Sequence, residues 1–292
     1  MRRRIPSLLV VGLMVVLLAS CGQPPAGQQA AVPTATPTQH ATSPGLSGQI
    51  AWQGFLDQNQ TTAAIFSAKA DGTDVRQLTH PNPGEEDANP DWSPDGSKIL
   101  FTFVPTNGPS EIFVMNAEGT GLKQITGGEN GTGVGKWSPD GSQIVYCVAE
   151  NPIRPDGNAT VERLWIMHAD GSHPMQFTNP PLPASIADNS PSWSPDGKRI
   201  LFQSFGSFPN GATPQIYTIF PNGTHQVQLT TKERNTWPAW SPDGTKIIFA
   251  HRFTAGQDQN AHLYEMNLDG SGLVQVTKNE FWQLQPAWGP PP

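Results

Sequence analysis

The stretch Trp92-Ser93-Pro94-Asp95-Gly96 recurs along the chain and decides the fold. The same five residue types stand at 137–141, 193–197 and 240–244, and a shortened copy begins at Trp288. Successive tryptophans are 45, 56, 47 and 48 residues apart. A period of this size, with strand-like segments between turn signals, is typical of the blades of a β-propeller.

Each repeat predicts four strands separated by turns. An extended segment ends in the tryptophan, and Ser-Pro-Asp-Gly then turns the chain, because proline sets one corner and glycine takes the left-handed position. In the first complete copy, an apolar strand follows at 99–101, a third strand at 112–115, a second turn at 118–119 and a short fourth strand at 124–126. Apolar residues on both faces of the second strand indicate a sheet that is covered on both sides. The fold class predicted is all-β, with four-stranded antiparallel blades.

The two ends of the repeat region predict how the ring closes. The first repeat starts directly at Gly48 and lacks a tryptophan strand, whereas Gln285–Trp288 is a tryptophan strand with no hairpin after it. We expect this last strand to become the innermost strand of the first blade, because that arrangement pairs both exposed edges. The result is a five-bladed β-propeller closed by its C-terminal strand. An incomplete six-bladed ring is the alternative.

These Trp-Ser-Pro-Asp-Gly repeats, from Gly48 to Gly289, resemble the WD-repeat-like propeller repeats of the TolB family and of the prolyl-oligopeptidase-type enzymes. The resemblance implies the propeller fold. It implies no particular activity, since such propellers serve many unrelated functions. The sequence contains no Gly-x-Ser-x-Gly elbow, so the comparison with peptidases is limited to their propellers.

The N-terminus has the pattern of an export signal. Arg2, Arg3 and Arg4 precede a short apolar stretch at 7–18, followed by small residues, which favours a cleaved signal peptide at 1–20 over a membrane-spanning helix. Leu18-Ala19-Ser20-Cys21 resembles the lipobox of bacterial lipoproteins, and this implies that Cys21 is lipidated and holds the protein on a membrane. Ordinary secretion with a coincidental cysteine is the alternative.

The segment that follows the predicted lipidation site changes composition. Residues 21–47 are rich in proline, threonine, alanine and glutamine, and a segment of this kind has little to bury. We predict a disordered tether that carries the propeller, residues 48–292, away from the membrane. The expected location is the extracytoplasmic side of a bacterial cell envelope.

Composition and motifs narrow the function classes. The formal net charge is −7, and it becomes −10 when Arg2, Arg3 and Arg4 are removed, which argues against nucleic acid and against direct adhesion to anionic lipid. Cys147, on an apolar strand, is expected to be a small buried hydrophobe. His-Glu-x-x-His, paired Cys-x-x-Cys and phosphate-loop motifs are absent from the sequence. We therefore predict a monomeric, non-catalytic protein without cofactor or metal, which touches the membrane only through its lipid.

The connections that vary between repeats predict the binding face. Both tight turns of each repeat fall on one face of the ring, and the variable loops fall on the other, where function usually lies. Aromatic and charged residues in or beside those loops are our candidate binding residues for a protein or envelope polysaccharide: Trp237, Trp282, His251, Arg252, Phe205 and Phe208. Packing between loops, plugging of the channel or surface salt bridges are the alternative roles for these side chains.

Two chemical alternatives remain open from the sequence. Glu86, Asp87 and Asp188 fall in predicted loops, where carboxylates at the channel mouth could make a glycan-binding or glycan-cleaving propeller. A metal site would need His80, His251 and His262 to come together with a carboxylate. A purely structural accessory part, whose partner is encoded elsewhere, is a further possibility. The repeated tryptophans and the aspartates of Ser-Pro-Asp-Gly are expected to serve packing and turn formation only.

Overall fold

The computed structural model describes residues 48–128, 130–150, 161–178, 187–205, 213–253 and 261–278. This part of the chain contains nineteen β-strands and no helix, which confirms the all-β class. It accordingly holds no helix that could cross a membrane. In chain order the strands are β1 (Gln49–Phe55), β2 (Ala63–Lys69), β3 (Arg76–Gln77), β4 (Glu86–Trp92), β5 (Lys98–Val104), β6 (Glu111–Asn116), β7 (Lys123–Gln124), β8 (Gly131–Trp137), β9 (Gln143–Glu150), β10 (Val161–His168), β11 (Met175–Gln176), β12 (Ala187–Trp193), β13 (Ile200–Phe205), β14 (Gln215–Ile219), β15 (Val227–Gln228), β16 (Arg234–Trp240), β17 (Lys246–Arg252), β18 (His262–Asn267) and β19 (Val274–Gln275).

The strands group into antiparallel blades, which we number in chain order. Blade 1 contains β1 to β3, and blades 2 to 5 contain β4–β7, β8–β11, β12–β15 and β16–β19. In blades 2 to 5 the tryptophan strand, called the inner strand below, pairs with the second strand, the second with the third, and the third with a two-residue fourth strand. Single parallel pairs, Ala63 with Glu86 and Glu162 with Ala187, link blade 1 to blade 2 and blade 3 to blade 4. The four-stranded blade is thus confirmed in blades 2 to 5.

The hydrophobic core lies in the seams between consecutive blades. One cluster joins Val145 and Ile166 of blade 3 to Trp193 and Phe202 of blade 4, and equivalent clusters fill the other described seams. The indole N–H of Trp193 also donates to the carbonyl of Lys136 in the preceding blade, at 3.3 Å. The expected packing role of the repeat tryptophans is confirmed for the four that the structure describes. Cys147 is buried in the same cluster as Trp193, also as expected.

The Ser-Pro-Asp-Gly turns are stabilised from within. In each turn the serine hydroxyl donates to the aspartate carboxylate at 2.6–2.7 Å. The carboxylate also accepts the backbone N–H two residues further on, at 3.0–3.1 Å. The turn-forming role expected for these aspartates is confirmed.

Inner strands begin earlier than the sequence pattern predicts. Each one runs for seven residues and contains a β-bulge, where register is lost between its third and sixth residues. The bulge carries a non-glycine residue with positive φ, namely Asn89, Val134, Ser190 or Trp237. Glu86, Asp87, Asp188 and Trp237, expected in loops, therefore lie in inner strands. The polar residues at the starts of these strands do not show the apolar pattern that predicts a buried strand. Their burial comes from contacts with the neighbouring blade.

Closure of the ring stays a prediction, because Gln285–Trp288 lie outside the described residues. Within the described part, β1 pairs only with β2, and no strand pairing joins blade 5 to blade 1. Ile50 of β1 is 47% exposed, whereas its counterparts Ile99, Ile144, Ile200 and Ile247 are 0% exposed. Each of those counterparts is the register partner of a repeat tryptophan. Within the described residues, Ile50 therefore lacks the tryptophan contact that its four counterparts have.

Candidate functional site

The loop face is the side of the molecule where inner strands begin and second strands end. The opposite side, the turn face, carries the Ser-Pro-Asp-Gly turns. Because inner strands line the central channel of a propeller, their first residues surround the channel mouth on the loop face. Side chains at this mouth are the candidate site.

A ring of buried polar residues lies at the second position of the inner strands. Asp87, Thr132, Asp188 and Asn235 are 5%, 6%, 3% and 1% exposed. The first three contact a threonine at the end of the preceding blade: Asp87 contacts Thr79, Thr132 contacts Thr126 at 3.1 Å, and Asp188 contacts Thr178. These contacts tie consecutive blades together beside the mouth.

Each of those threonines has a second task. Its hydroxyl accepts a backbone N–H from the strand before the Gln-x-Thr motif in its own blade at 2.8–2.9 Å. This bond recurs in every blade of the described part, at Thr79, Thr126, Thr178, Thr230 and Thr277. The glutamine two residues earlier donates its side-chain amide to the threonine carbonyl at 2.7–2.8 Å. The Gln-x-Thr motif was expected to form the fourth strand. The fourth strand ends at the glutamine. The next residue still donates its backbone N–H to the neighbouring strand, as Ile125 does to Ile112 at 2.9 Å, and the threonine hydroxyl then accepts a backbone N–H from that strand.

Asp87 and Asp188 occupy equivalent positions in different surroundings. Asp188 accepts a hydrogen bond from the Ser204 hydroxyl at 2.6 Å and another from Thr178. Burial raises the pKa of Asp188, and these two bonds and the positive charge of Arg163 oppose the rise. Asp87 has Phe103 as its register partner and a bond from Thr79. Burial, with a smaller contribution from Glu85, raises the pKa of Asp87 to about 6.

A chain of side-chain amides runs from blade 3 to blade 5. Glu162 accepts the Asn189 amide at 2.7 Å, and the pKa of Glu162 is raised, mainly by burial. Asn189 in turn accepts the Gln203 amide, and the Gln203 carbonyl accepts the backbone N–H of Trp237 at 2.9 Å. The backbone of Trp237, at φ 50°, is thereby held in the left-handed region from the neighbouring blade.

The loop-face end of blade 5 is rich in basic groups. His251 is 7% exposed, and its Nδ1 lies within hydrogen-bond distance, 2.7 Å, of the side-chain oxygen Oδ1 of Asn235. Burial lowers the pKa of His251; Glu233 opposes this change and His262 adds to it. One residue further towards the mouth, Arg234 and Arg252 are direct register partners. The pKa of Arg234 is lowered by burial and by the charge of Arg252.

Three of the predicted binding residues lie on two paired strands of blade 5 and not in loops. Trp237 is half-buried at the bulge of β16, and His251 and Arg252 end the adjoining strand β17. Phe205, half-buried, ends β13 in blade 4. The solvated or salt-bridged surface role weighed for His251 is wrong, since its ring is buried against Tyr264 at 4.6 Å between centroids. Trp282, Phe208 and Cys21 lie outside the described residues.

Sequence reasoning missed Arg234, Asn235 and Gln203. The signal was present for Asn235, because a polar residue stands five positions before each repeat tryptophan in blades 2 to 5.

The geometry does not favour the two chemical alternatives, a glycan-cleaving site and a metal site. Asp87 and Asp188 are two blades apart, and each is bonded within its own seam. No group of three or more potential metal ligands occurs among the described residues.

Two grooves open on the turn face at equivalent positions. One, of about 810 Å³, lies between blades 4 and 5 beside Phe220, Trp240 and Asp243. The other, of about 650 Å³, lies between blades 2 and 3 beside Val114, Trp137 and Asp140. Since the same groove recurs where the same turns meet, it is a consequence of how these repeats pack.

Comparison with known proteins agrees with this architecture. A family model described as TolB beta propeller domain matches residues 153–291. The Tol-Pal system protein TolB of Anaeromyxobacter dehalogenans (strain 2CP-C) is 35% identical over 105 residues, which make up 36% of this chain and 21% of that protein. This chain therefore matches about a fifth of the length of that curated relative.

Solved structures show the same fold. The crystal structure of TolB from Acinetobacter baumannii aligns with a TM-score of 0.63 at 21% identity, over 80% of this chain and 53% of that one. An oligogalacturonate lyase from Vibrio parahaemolyticus aligns with a TM-score of 0.56 at 15% identity, over 74% and 60% of the two chains. The fold is thus a TolB-like propeller, and proteins of this shape include an enzyme.

Proposed function

We propose that this TolB-like β-propeller protein is a non-catalytic binding module of the bacterial cell envelope, which binds a protein partner through its loop face. One observation carries the proposal: Arg234 and Arg252 are register partners at the mouth end of blade 5, and Trp237 lies three residues further along the same inner strand, at its bulge. The turn face, by contrast, is occupied by turns whose polar groups bond to one another. The name of the curated relative, a Tol-Pal system protein, supports a role of this kind.

Trp237 is the aromatic anchor that we expect at this site. The equivalent bulge positions in blades 2 to 4 carry Asn89, Val134 and Ser190, so the repeat itself does not require a large ring here. A bulky residue in the left-handed region costs about 1–3 kcal/mol, and such strain persists only where surrounding structure holds it. The bond that the Trp237 backbone N–H donates to the side-chain oxygen of Gln203 provides that hold. Tryptophan is also among the residue types that dominate binding energy at protein interfaces.

The geometry favours binding over glycan cleavage. Glycoside hydrolysis needs two carboxyl groups that face each other across one scissile bond, about 5–9.5 Å apart. Asp87 and Asp188 instead lie in separate seams with blade 3 between them, and each bonds to a threonine of the blade before it. An envelope polysaccharide stays the alternative partner, with Trp237 as a stacking surface.

The same proposal assigns the N-terminal segment its role. Signal peptide 1–20 would be removed, lipid on Cys21 would anchor the protein, and residues 21–47 would act as the tether. Replacing Cys21 by serine should then move the protein from the membrane fraction to the soluble fraction, without changing its melting temperature. A Cys21→Ser protein that still sediments with membranes would contradict the lipid anchor.

The binding proposal is tested by affinity capture from native cell envelopes. The full chain is compared with a Trp237→Ala/Trp282→Ala variant and with Phe220→Ala, an aromatic change on the turn face. We expect a defined protein to be recovered by the wild type and by Phe220→Ala, and to be lost with the double variant. If no protein is enriched, or if the double variant captures equally well, the loop-face proposal fails. Soluble oligosaccharides then become the ligands to test.

A further inference from the structure

Blade 3 departs from blades 1, 2 and 4 in one aromatic pair. In those three blades two aromatic register partners on adjoining strands stack, with ring centroids 5.7–5.9 Å apart: Trp52 with Phe66, Phe101 with Phe113, and Phe202 with Tyr217. The corresponding partners in blade 3 are Tyr146 and Trp165. No stack joins their rings in the described part of the chain, and both line a cavity of about 280 Å³.

This cavity, in the seam between blades 2 and 3, is open because small residues line it. Gly127 and Gly128 contribute no side chains. Val148 lines it from β9, four residues after the register partner of the repeat tryptophan. The residue at the same position of blade 2 is Phe103, whose ring packs edge-on against Phe113 at 5.7 Å. The seam between blades 2 and 3 therefore keeps a space of the kind that Phe103 fills in the seam before it.

The cavity holds a buried hydroxyl that the described residues leave without a hydrogen bond. Tyr146 is 3% exposed, and no hydrogen bond of its hydroxyl is found in the described part of the chain. The indole N–H of Trp165 is likewise buried without a partner there. A buried donor without an acceptor destabilises the protein, so a segment that brings an acceptor into the cavity gains the free energy of that bond.

The cavity suits an uncharged acceptor. None of its described lining residues is acidic or basic. Two charged groups stand beside the lining: Glu111, whose carboxylate accepts the Thr126 hydroxyl at 2.6 Å, and the buried Arg163, the register partner of Val148. Burial raises the pKa of Tyr146 to about 12, and the negative charge of Glu111 adds to the rise, so the phenol keeps its proton at neutral pH.

The segment that precedes blade 1 has matching chemistry. Residues 22–47 contain five prolines and no Asp, Glu, Lys or Arg. Because proline has no N–H, a proline-rich segment offers carbonyl acceptors and flat apolar rings, and aromatic-lined grooves bind such segments.

The same segment is long enough to reach the cavity. Gly48 follows Pro37 by eleven residues, which span about 34 Å in an extended proline-rich chain. Packed sheets lie about 10 Å apart, and only blade 2 stands between blade 1 and the cavity, so the distance to be covered is about 20 Å.

We propose that residues 33–37 of this chain, Pro-Thr-Ala-Thr-Pro, dock in the cavity between blades 2 and 3. The Tyr146 hydroxyl donates to a carbonyl of the segment, and Trp165 and Met167 contact its prolines. With the lipid on Cys21, residues 22–32 then remain as the free span, and the ring is suspended from blade 3. This inference does not depend on the loop-face partner, because none of its residues belongs to blade 5.

Limited proteolysis of the full chain with elastase, which accepts small side chains, tests the docking. The rate of cleavage after Ala35 is measured by mass spectrometry, with cleavage after Ala41 as the internal reference. Tyr146→Phe removes only the hydroxyl, and Val148→Phe fills the cavity as Phe103 does in blade 2. Tyr217→Phe, at the corresponding pair of blade 4, is the matched control.

We expect Tyr146→Phe to speed cleavage after Ala35 about three- to tenfold, as the loss of one hydrogen bond does, and Val148→Phe to speed it further. Tyr217→Phe should leave the rate unchanged, and Tyr146→Phe should melt as the wild type does. Equal cleavage rates in the wild type, Tyr146→Phe and Val148→Phe would overturn the proposal.

A binding measurement identifies the occupant. The probe is a blocked peptide of residues 31–39, titrated by calorimetry into the full chain with Pro33→Ala/Pro37→Ala, whose own segment no longer competes. It should bind this variant more tightly than the wild type, and adding Tyr146→Phe should weaken it about three- to tenfold. If blocked hexaproline binds and the peptide of residues 31–39 does not, the cavity takes a segment of another protein, and the proposal is wrong.

Discussion

At the scale of single residues, one residue type serves two opposite roles in this protein. Asp95, in a Ser-Pro-Asp-Gly turn, accepts bonds from Ser93 and Ser97, and these bonds lower its pKa to about 2. Asp87, buried in the seam between blades 1 and 2, has a pKa raised to about 6. The repeat pattern predicts the role of Asp95, whereas the environment of Asp87 is set by the neighbouring blade.

Asp87 predicts a pH-dependent effect on stability. Its folded pKa lies above the ordinary value of 3.8, so its ionisation costs folding free energy as the pH rises from about 4 to about 6. Asp87→Asn keeps a polar group beside Thr79 without the charge. The variant should therefore melt higher than the wild type above pH 6, with the difference disappearing below pH 4. Melting temperatures between pH 3 and 8 measure this.

Asp95→Asn is the opposed control. The folded pKa of Asp95 lies below 3.8, so its carboxylate stabilises the protein above about pH 4 and loses this effect as the pH falls towards 2. Asp95→Asn should melt lower than the wild type at neutral pH and approach it in acid. If both variants shift in the same direction at pH 7, our account of these two environments is wrong.

At the scale of elements, the inner strands are positioned by the ends of the preceding blades. Thr178 is 2% exposed, accepts the backbone N–H of Leu164 at 2.9 Å and contacts Asp188 of the next inner strand. One hydroxyl thus completes one blade and orients the strand of another. Backbone groups of β10 and the mouth of the channel are coupled through this threonine.

Two substitutions at Thr178 separate the contribution of its hydroxyl to stability from that of its packing volume. Thr178→Val keeps the shape of the side chain and leaves the Leu164 N–H without its acceptor, which should lower the free energy of unfolding by about 1–3 kcal/mol. Thr178→Ser retains the hydroxyl and should lose less. Denaturant unfolding of the three proteins tests this, and an equal loss in both variants would assign the effect to packing.

At the scale of the whole molecule, the open question is what covers the edge of blade 1. The exposure of Ile50 and the invariant Trp–Ile register of blades 2 to 5 support a Trp288–Ile50 pair, formed by the C-terminal strand. That pair would make five blades and tie the two ends of the ring together. An incomplete six-bladed ring would leave Ile50 without this partner.

A double-mutant cycle tests the closure. Trp288→Ala should lower the free energy of unfolding by about 3–5 kcal/mol, as other losses of a buried tryptophan do. Combined with Ile50→Ala, it should show a coupling of about 0.5–3 kcal/mol, since residues in contact are not additive. Met175→Ala, at a position that is 50% exposed in blade 3, is the reference for an uncoupled site. Additive effects of Trp288→Ala and Ile50→Ala would contradict the closed ring.

The sequence by itself determined the all-β class, the four-stranded repeat, the packing role of its tryptophans and the chemistry of its first turn. These follow from local pattern, because proline, glycine and the strand alternation act within a few residues of one another. Only the tertiary structure decided that Asp87, Asp188 and Asn235 are buried in strands, that the bulge holds Trp237, and that Arg234 faces Arg252. The physical reason is that these environments are made by side chains of a different strand or blade, whose register and seam contacts the pattern of a single repeat does not encode.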